Sequence, residues 1–288
     1  MHRRLSFCAA ILALALLAGC GAPAVQANSN PATNPTPTPL ATQAVPTPEP
    51  TLEPTPTPEP TPEPLPWPVY EFGTPVEESD PVEDDSFFDS AVFLGDSRTE
   101  GLQLFSGLKH GTFYWARGMS VFRVDDDDYK IFEVDGKKCT MIGALGKRSY
   151  DSVYIMIGVN ELGYPASSYE KTLASLIDEV LAAQPDAVVY LQVMPPLNDA
   201  MCRTHGLASY INNDNLTKFN EAIVRVATEK KVALLNTAEV YTGEDGQLPQ
   251  EMASDGCHFA VSGYTPWADY MRTHVMDRER YFYSRENA

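Results

Sequence analysis

Five short apolar runs, each closed by a glycine or polar turn and followed by helical spacing, confine this chain to one broad architecture. They are Ala91 to Leu94, Thr112 to Ala116, Val153 to Ile157, Ala187 to Val193 and Val232 to Leu235. Runs without polar alternation read as strands buried on both faces, and strands that alternate with helices pair in parallel. The pattern predicts a three-layer α/β/α sandwich around a central, mainly parallel sheet.

The intervening segments supply the helices. One is expected from Arg98 to Leu108 and a short one from Thr140 to Lys147. The clearest has Ser167 and Glu170 as a capping box and Tyr169, Leu173, Leu176, Ile177, Val180 and Leu181 on one face, with Gln184-Pro185 as its stop. A loop to about Asn213 precedes a helix with Leu216, Phe219, Ile223 and Val226 inward, and a last helix runs from Val261 to Val275. Ile131 to Val134 reads as an extra short strand. The tail from Arg278 onward carries no pattern that assigns it a place.

The N-terminal quarter has a different character. His2-Arg3-Arg4 is a short basic region, Leu5 to Leu17 is almost wholly apolar, and Leu17-Ala18-Gly19-Cys20 follows. An apolar stretch this short falls below the roughly 20 residues of a membrane-spanning helix and fits a cleaved export signal. It resembles a bacterial lipoprotein signal, which implies cleavage before Cys20 and a lipid on its sulfur. The chain would then be membrane-anchored and face the extracytoplasmic side.

Pro31 to Pro68 is dominated by Thr-Pro and Glu-Pro repeats. Such a segment lacks the apolar residues for a core, and closely spaced prolines favour polyproline II at about 3.1 Å per residue, enough for a stalk of up to ~100 Å. The expected organisation is a signal over 1–19, a lipidated Cys20 with a disordered linker over 20–68, and one domain over 69–288. Roughly 220 residues is an ordinary size for a single α/β domain.

Acidic residues outnumber basic ones by 39 to 21, for a formal net charge of -18, which argues against nucleic acid as a partner. With Cys8 in the signal and Cys20 set aside for lipid, Cys139, Cys202 and Cys257 remain. Three thiols allow at most one disulfide, and their spacing suggests no zinc site. Asp125 to Asp128 lacks the alternating ligands and glycine of a calcium loop and reads as a solvated acidic turn. His110, His205 and His274 read as surface or core histidines. Trp115, Tyr164 and Trp267 are candidates for a sugar platform or for the core.

Four motifs fall at the ends of the predicted strands or in the loop before the last helix. Gly95-Asp96-Ser97 closes the first strand, Gly118 follows the second, Gly158-Val159-Asn160 follows the third long run, and Asp255-Gly256-Cys257-His258 lies near the end. A serine delivered at the carboxyl edge of a sheet, with Asp and His three residues apart to act as orienter and base, is the material of a nucleophilic hydrolase. Taken together and in order, these blocks resemble those of the GDSL-type, or SGNH, hydrolases, and the resemblance spans about residues 90–285.

The resemblance implies a flavodoxin-like SGNH fold and a serine esterase with Ser97 as nucleophile, His258 as base and Asp255 as orienter. It also implies an oxyanion hole from the amides of Ser97 and Gly118 and the side chain of Asn160, with no metal or organic cofactor. Arg98 stands where the family pattern has Leu and Glu161 where Asp is usual. Both are candidate substrate contacts: Arg98 would pin Glu161 or the substrate, the alternative being a first-turn surface arginine. The expected substrate is an O-acyl ester, acetyl foremost, on an envelope or extracellular glycan. The rival readings are a lipid-ester hydrolase, an acyltransferase using the same Ser-His pair, and a non-catalytic envelope-binding lipoprotein.

Overall fold

A computed structural model describes residues 68–288. The expected signal, Cys20 and nearly all of the proline-rich stalk lie outside the described residues. The first strand, β1 (Ala91–Gly95), is followed by α1 (Ser97–Phe105) and β2 (Thr112–Trp115). A hairpin of β3 (Phe132–Val134) and β4 (Lys137–Cys139) leads to α2 (Met141–Leu145), β5 (Ser152–Met156), α3 (Ala166–Ala183) and β6 (Val188–Gln192). The rest comprises α4 (Asp199–Thr204), α5 (Asn213–Lys230), β7 (Ala233–Leu235), α6 (Thr265–Thr273) and α7 (Arg278–Asn287).

The main sheet has the order β2-β1-β5-β6-β7 and every pair in it is parallel, as the apolar runs predict. Strand β1 lies at the point where the winding reverses, β2 to one side and β5 to the other, which is where open α/β sheets build their sites. Register then does the rest. Gly95 pairs with both Trp115 and Met156, so the three turns that follow these residues emerge side by side.

One face of the sheet carries an aromatic row. Phe113, Phe93, Tyr154 and Tyr190 are register partners on four adjacent strands, with ring centroids 4.5, 5.0 and 4.5 Å apart in sequence across the sheet. Stacked neighbours of this kind fix strand register as well as burying area. Elsewhere Tyr169 of α3 stacks on Phe219 of α5 at 4.5 Å, joining two long helices that each bury a single stripe.

Several local expectations change. Helix α3 starts at Ala166 behind Pro165, and Ser167 makes no cap; Glu170 instead pairs with Arg225 on α5 at 2.9 Å. Proline, with φ already near the helical value and no N–H to satisfy, begins the helix two residues earlier than the capping pattern suggested. The short strand expected over 131–134 is β3, one arm of a hairpin turned at Asp135-Gly136. A further helix, α4, occupies the loop before α5. The last predicted helix divides into a 3₁₀ turn (Val261–Tyr264) and α6.

The tail has a place after all. It folds as α7, whose Tyr281 is fully buried and whose Ser284 hydroxyl accepts the Tyr70 amide at 2.8 Å. Residues 70–76 in turn run beside β7, with the Val76 amide donating to the Leu234 carbonyl at 2.8 Å, so that sheet edge is covered.

Candidate active site

The nucleophile candidate is placed by its neighbours. Asp96 adopts an extended conformation at the N-cap of α1, and its Oδ1 accepts the Arg98 amide at 2.8 Å. Burial pushes the Asp96 carboxyl up, opposed by that amide and by the nearby Arg98 and His258 charges. Because Asp96 caps the helix, the Ser97 hydroxyl is free for other work. Its Oγ lies 2.8 Å from His258 Nε2.

The other side of the imidazole is equally constrained. His258 Nδ1 lies 2.8 Å from Asp255 Oδ2, while Asp255 Oδ1 accepts the amides of Cys257 and His258 at 2.8 and 2.7 Å. Partial burial raises the Asp255 carboxyl, yet the His258 ring and the two amides together outweigh it and hold the group well below the usual carboxylate range. The tight loop needs Gly256, whose φ is +91° and whose absent side chain would meet Cys202 N at 2.5 Å and Asn198 O at 2.6 Å.

The loop is carried from outside by Arg98. Its guanidinium is fully buried and forks onto the Cys257 carbonyl through Nε at 3.1 Å and Nη2 at 2.9 Å, with Nη1 3.4 Å from the Pro195 carbonyl. This corrects both sequence expectations for Arg98. It is neither a surface residue nor a partner of Glu161 or substrate, because every edge of the fork is spent on backbone carbonyls. The Asn198 amide adds a further tie, donating to Gly256 O at 2.8 Å from the residue that caps α4.

Beyond β2, Gly118 has φ +70° and open space around it. Asn160 is exposed on a 3₁₀ turn after β5, and its Nδ2 donates to the Met119 carbonyl at 2.9 Å, leaving a second N–H for the cleft. Glu161 is also corrected: it is fully buried and faces away from the cleft, with Oε1 accepting the Val121 amide at 3.1 Å and Oε2 unpartnered. Burial pushes its carboxyl up to about 7, with the Asp96 charge adding to the rise and the Ser120 hydroxyl opposing it.

A carboxyl raised above its unfolded value favours the folded state on the acid side and loses that contribution as pH rises through the folded value. Glu161→Gln keeps the acceptor and removes the titration. The variant is expected to match the wild type near pH 4.5 and to exceed it at pH 8 by up to about 3 kcal/mol. Thermal or urea unfolding of both proteins at pH 4.5, 6 and 8 checks this; a stability difference that is flat with pH contradicts it.

Ser97, Gly118, Asn160, Asp255 and His258 all line a single open cleft of about 610 Å³. The remaining walls include Leu104 and Phe105 of α1, Tyr264, Leu207 and Ile211, together with an ion pair between Glu100 and Arg117. A hydroxyl bonded to an imidazole, an imidazole oriented by a carboxylate, and donors from two neighbouring loops can activate a nucleophile and bind an oxyanion.

Against known families, residues 93–265 match the model for the GDSL-like lipase/acylhydrolase family. The chain belongs to that family. As a GDSL-type hydrolase it is a serine esterase. No curated protein matches it. Among solved structures, it is similar to a protein of Streptococcus pneumoniae given the provisional name platelet activating factor, at 22% identity over 63% of this chain and 81% of that one, with a TM-score of 0.50. It is also similar to a GDSL-like lipase from Bacteroides thetaiotaomicron at 18% identity, over 65% and 87% of the two chains, with a TM-score of 0.48.

Other candidate residues of this GDSL-type hydrolase lie apart from the cleft chemistry. Cys139, Cys202 and Cys257 are all free thiols, and burial raises the thiols of Cys202, to about 11, and of Cys257, which leaves neither as a thiolate nucleophile. In the acidic turn Asp125 accepts from the Thr140 hydroxyl and Asp127 pairs with Lys130. Trp267 is core, donating to Gln192 Oε1 at 2.8 Å, and Trp115 donates to Gln103 Oε1. Tyr164 is 57% exposed and packs on the exposed Phe122 at 5.1 Å, while the Tyr210 ring covers Gly163.

Proposed function

We propose that this GDSL-type hydrolase is an extracytoplasmic esterase that removes O-acyl groups, acetyl foremost, from cell-envelope or extracellular glycans by a Ser-His-Asp mechanism. The observation that carries the mechanism is the unbroken hydrogen-bond line from Asp255 through His258 to Ser97, at 2.8 Å for each step, opening on a cleft. In this reading the Ser97 hydroxyl attacks the ester carbonyl while His258 Nε2 takes its proton, and Asp255 stabilises the resulting imidazolium. The tetrahedral oxyanion is met by the Ser97 and Gly118 amides and the Asn160 side chain. Its collapse expels the alcohol, which receives the proton from His258, and water then releases the acid from Ser97 by the same steps.

The glycan side of the proposal rests on location and surface. A lipid at Cys20 and a proline-rich stalk would hold the domain among envelope polymers. Phe122, Tyr164 and Tyr210 are open to solvent, and Tyr164, four residues after Asn160, packs on Phe122, giving flat faces for sugar rings. A second reading, hydrolysis of lipid esters, draws on the apolar wall: Leu104 is 56% and Phe105 44% exposed beside the cleft.

The two readings part on acyl length. With p-nitrophenyl acetate and octanoate, kcat/KM for acetate is expected to equal or exceed that for octanoate, since on the glycan reading the open cleft gives little return for added methylenes. Acetate release from an O-acetylated glycan should accompany it. Preference for octanoate transfers the proposal to lipids, and absence of turnover on either ester sinks it.

A further inference from the structure

The oxyanion loop from Arg117 to Val121 is held unevenly. Its second half is anchored several times over: the Met119 side chain is fully buried, the Met119 carbonyl accepts from Asn160, and the Val121 amide donates to Glu161. Its first half leaves β2 at the edge of the sheet, where no further strand among the described residues supports it. The Trp115 indole is tied to Gln103 at 2.6 Å, but Arg117 and Gly118 themselves are exposed, and a side chain at Gly118 would meet nothing within 4 Å.

Besides a turn bond from the Met119 amide to the Ala116 carbonyl at 3.0 Å, one side-chain tether reaches this half. Arg117 Nε and Nη2 donate to Glu100 Oε2 and Oε1 at 2.6 and 2.7 Å, a two-bonded fork of the kind only a guanidinium makes. Glu100 is itself largely buried in the first turn of α1, and its amide bonds to the Asp96 carbonyl. The fork therefore joins the residue beside the Gly118 donor to the helix turn that begins with Ser97.

We propose that Glu100 and Arg117 are positioning residues that set the distance between the nucleophile and the Gly118 oxyanion donor. The inference rests on the oxyanion role given to Gly118 above. Arg117 is 78% exposed on its side chain, so the pair adds little to global stability. Its effect is local: the turn bond closes residues 116–119 on themselves, whereas the fork ties them to α1 beside Ser97, and a donor misplaced by about 1 Å can cost as much as 100-fold in rate. Lysine at 117 would keep the charge and lose the fork.

The test uses the full chain, with Glu100→Gln and Arg117→Lys beside the wild type. Each variant is expected to lose about 10- to 100-fold in kcat on p-nitrophenyl acetate, with KM within about twofold and an unchanged melting temperature. The double variant should lose no more than the worse single one, because both break the same fork. Losses confined to KM, or losses that multiply in the double variant, overturn the proposal. A second readout needs no turnover: the NMR order parameter of the Gly118 amide should fall from about 0.85 in the wild type to below about 0.6 in either variant. An unchanged order parameter overturns the clamp even if the esterase reading fails, whereas a wild type that orders Gly118 yet hydrolyses nothing counts against the oxyanion reading alone.

Discussion

Ser97→Ala is expected to lower kcat on acetyl esters by roughly four to six orders of magnitude and to abolish labelling by a fluorophosphonate. The hydroxyl is the group at the end of the Asp255 to His258 line, and no other nucleophile stands within that line. Residual activity above background would come from the oxyanion donors and from binding. The fold should be indifferent to the change, because Asp96 and not Ser97 caps α1. An unchanged melting temperature with lost turnover is the expected pair of results. Activity within tenfold of the wild type would remove Ser97 from the mechanism.

Arg98→Met is expected to have the largest effect on stability, about 3 to 5 kcal/mol, because it strips a buried loop of its donors and a buried carboxyl of the nearby positive charge. Asp96 would lose its buried counter-charge, and the Cys257 carbonyl would lose two donors. For a domain of this size that corresponds to a fall in melting temperature of roughly 10 °C or more. Activity should fall with it even below the transition, since the Cys257 carbonyl belongs to the loop that carries His258. Arg98→Lys should recover part of the stability, as one ammonium can meet a carbonyl but cannot reproduce the fork. Equilibrium urea unfolding checks both variants, and a loss under about 1 kcal/mol for Arg98→Met would mean that Arg98 is not a strut.

The contrast between these two residues shows what was legible beforehand. Ser97, Gly118 and Asn160 could be read because each sits just past a strand whose apolar run is visible locally, and parallel register sets the three turns side by side. Asp255 and His258 could be read from their spacing and from family resemblance. The helix α4 and the packing of α7 were not legible, since their stability comes from contacts with distant residues such as Gly256 and Tyr70. The Asp-Gly pair at 135–136 did carry a signal for the second arm of the hairpin.

Arg98 and Glu161 mark the limit most plainly. Both are charged, both adjoin a motif residue, and the sequence invites a surface or substrate role for each. Their partners lie 159 and 40 residues away, at Cys257 and Val121, and only the closed fold brings those backbone groups within hydrogen-bond distance. The sequence alone determined the alternation of strand and helix, and with it the sheet edge on which the motifs stand, because burial of apolar runs follows local periodicity. Which charged side chains face the cleft and which are turned inward to hold its loops was decided by tertiary structure, where desolvation must be met by specific partners that no local pattern encodes.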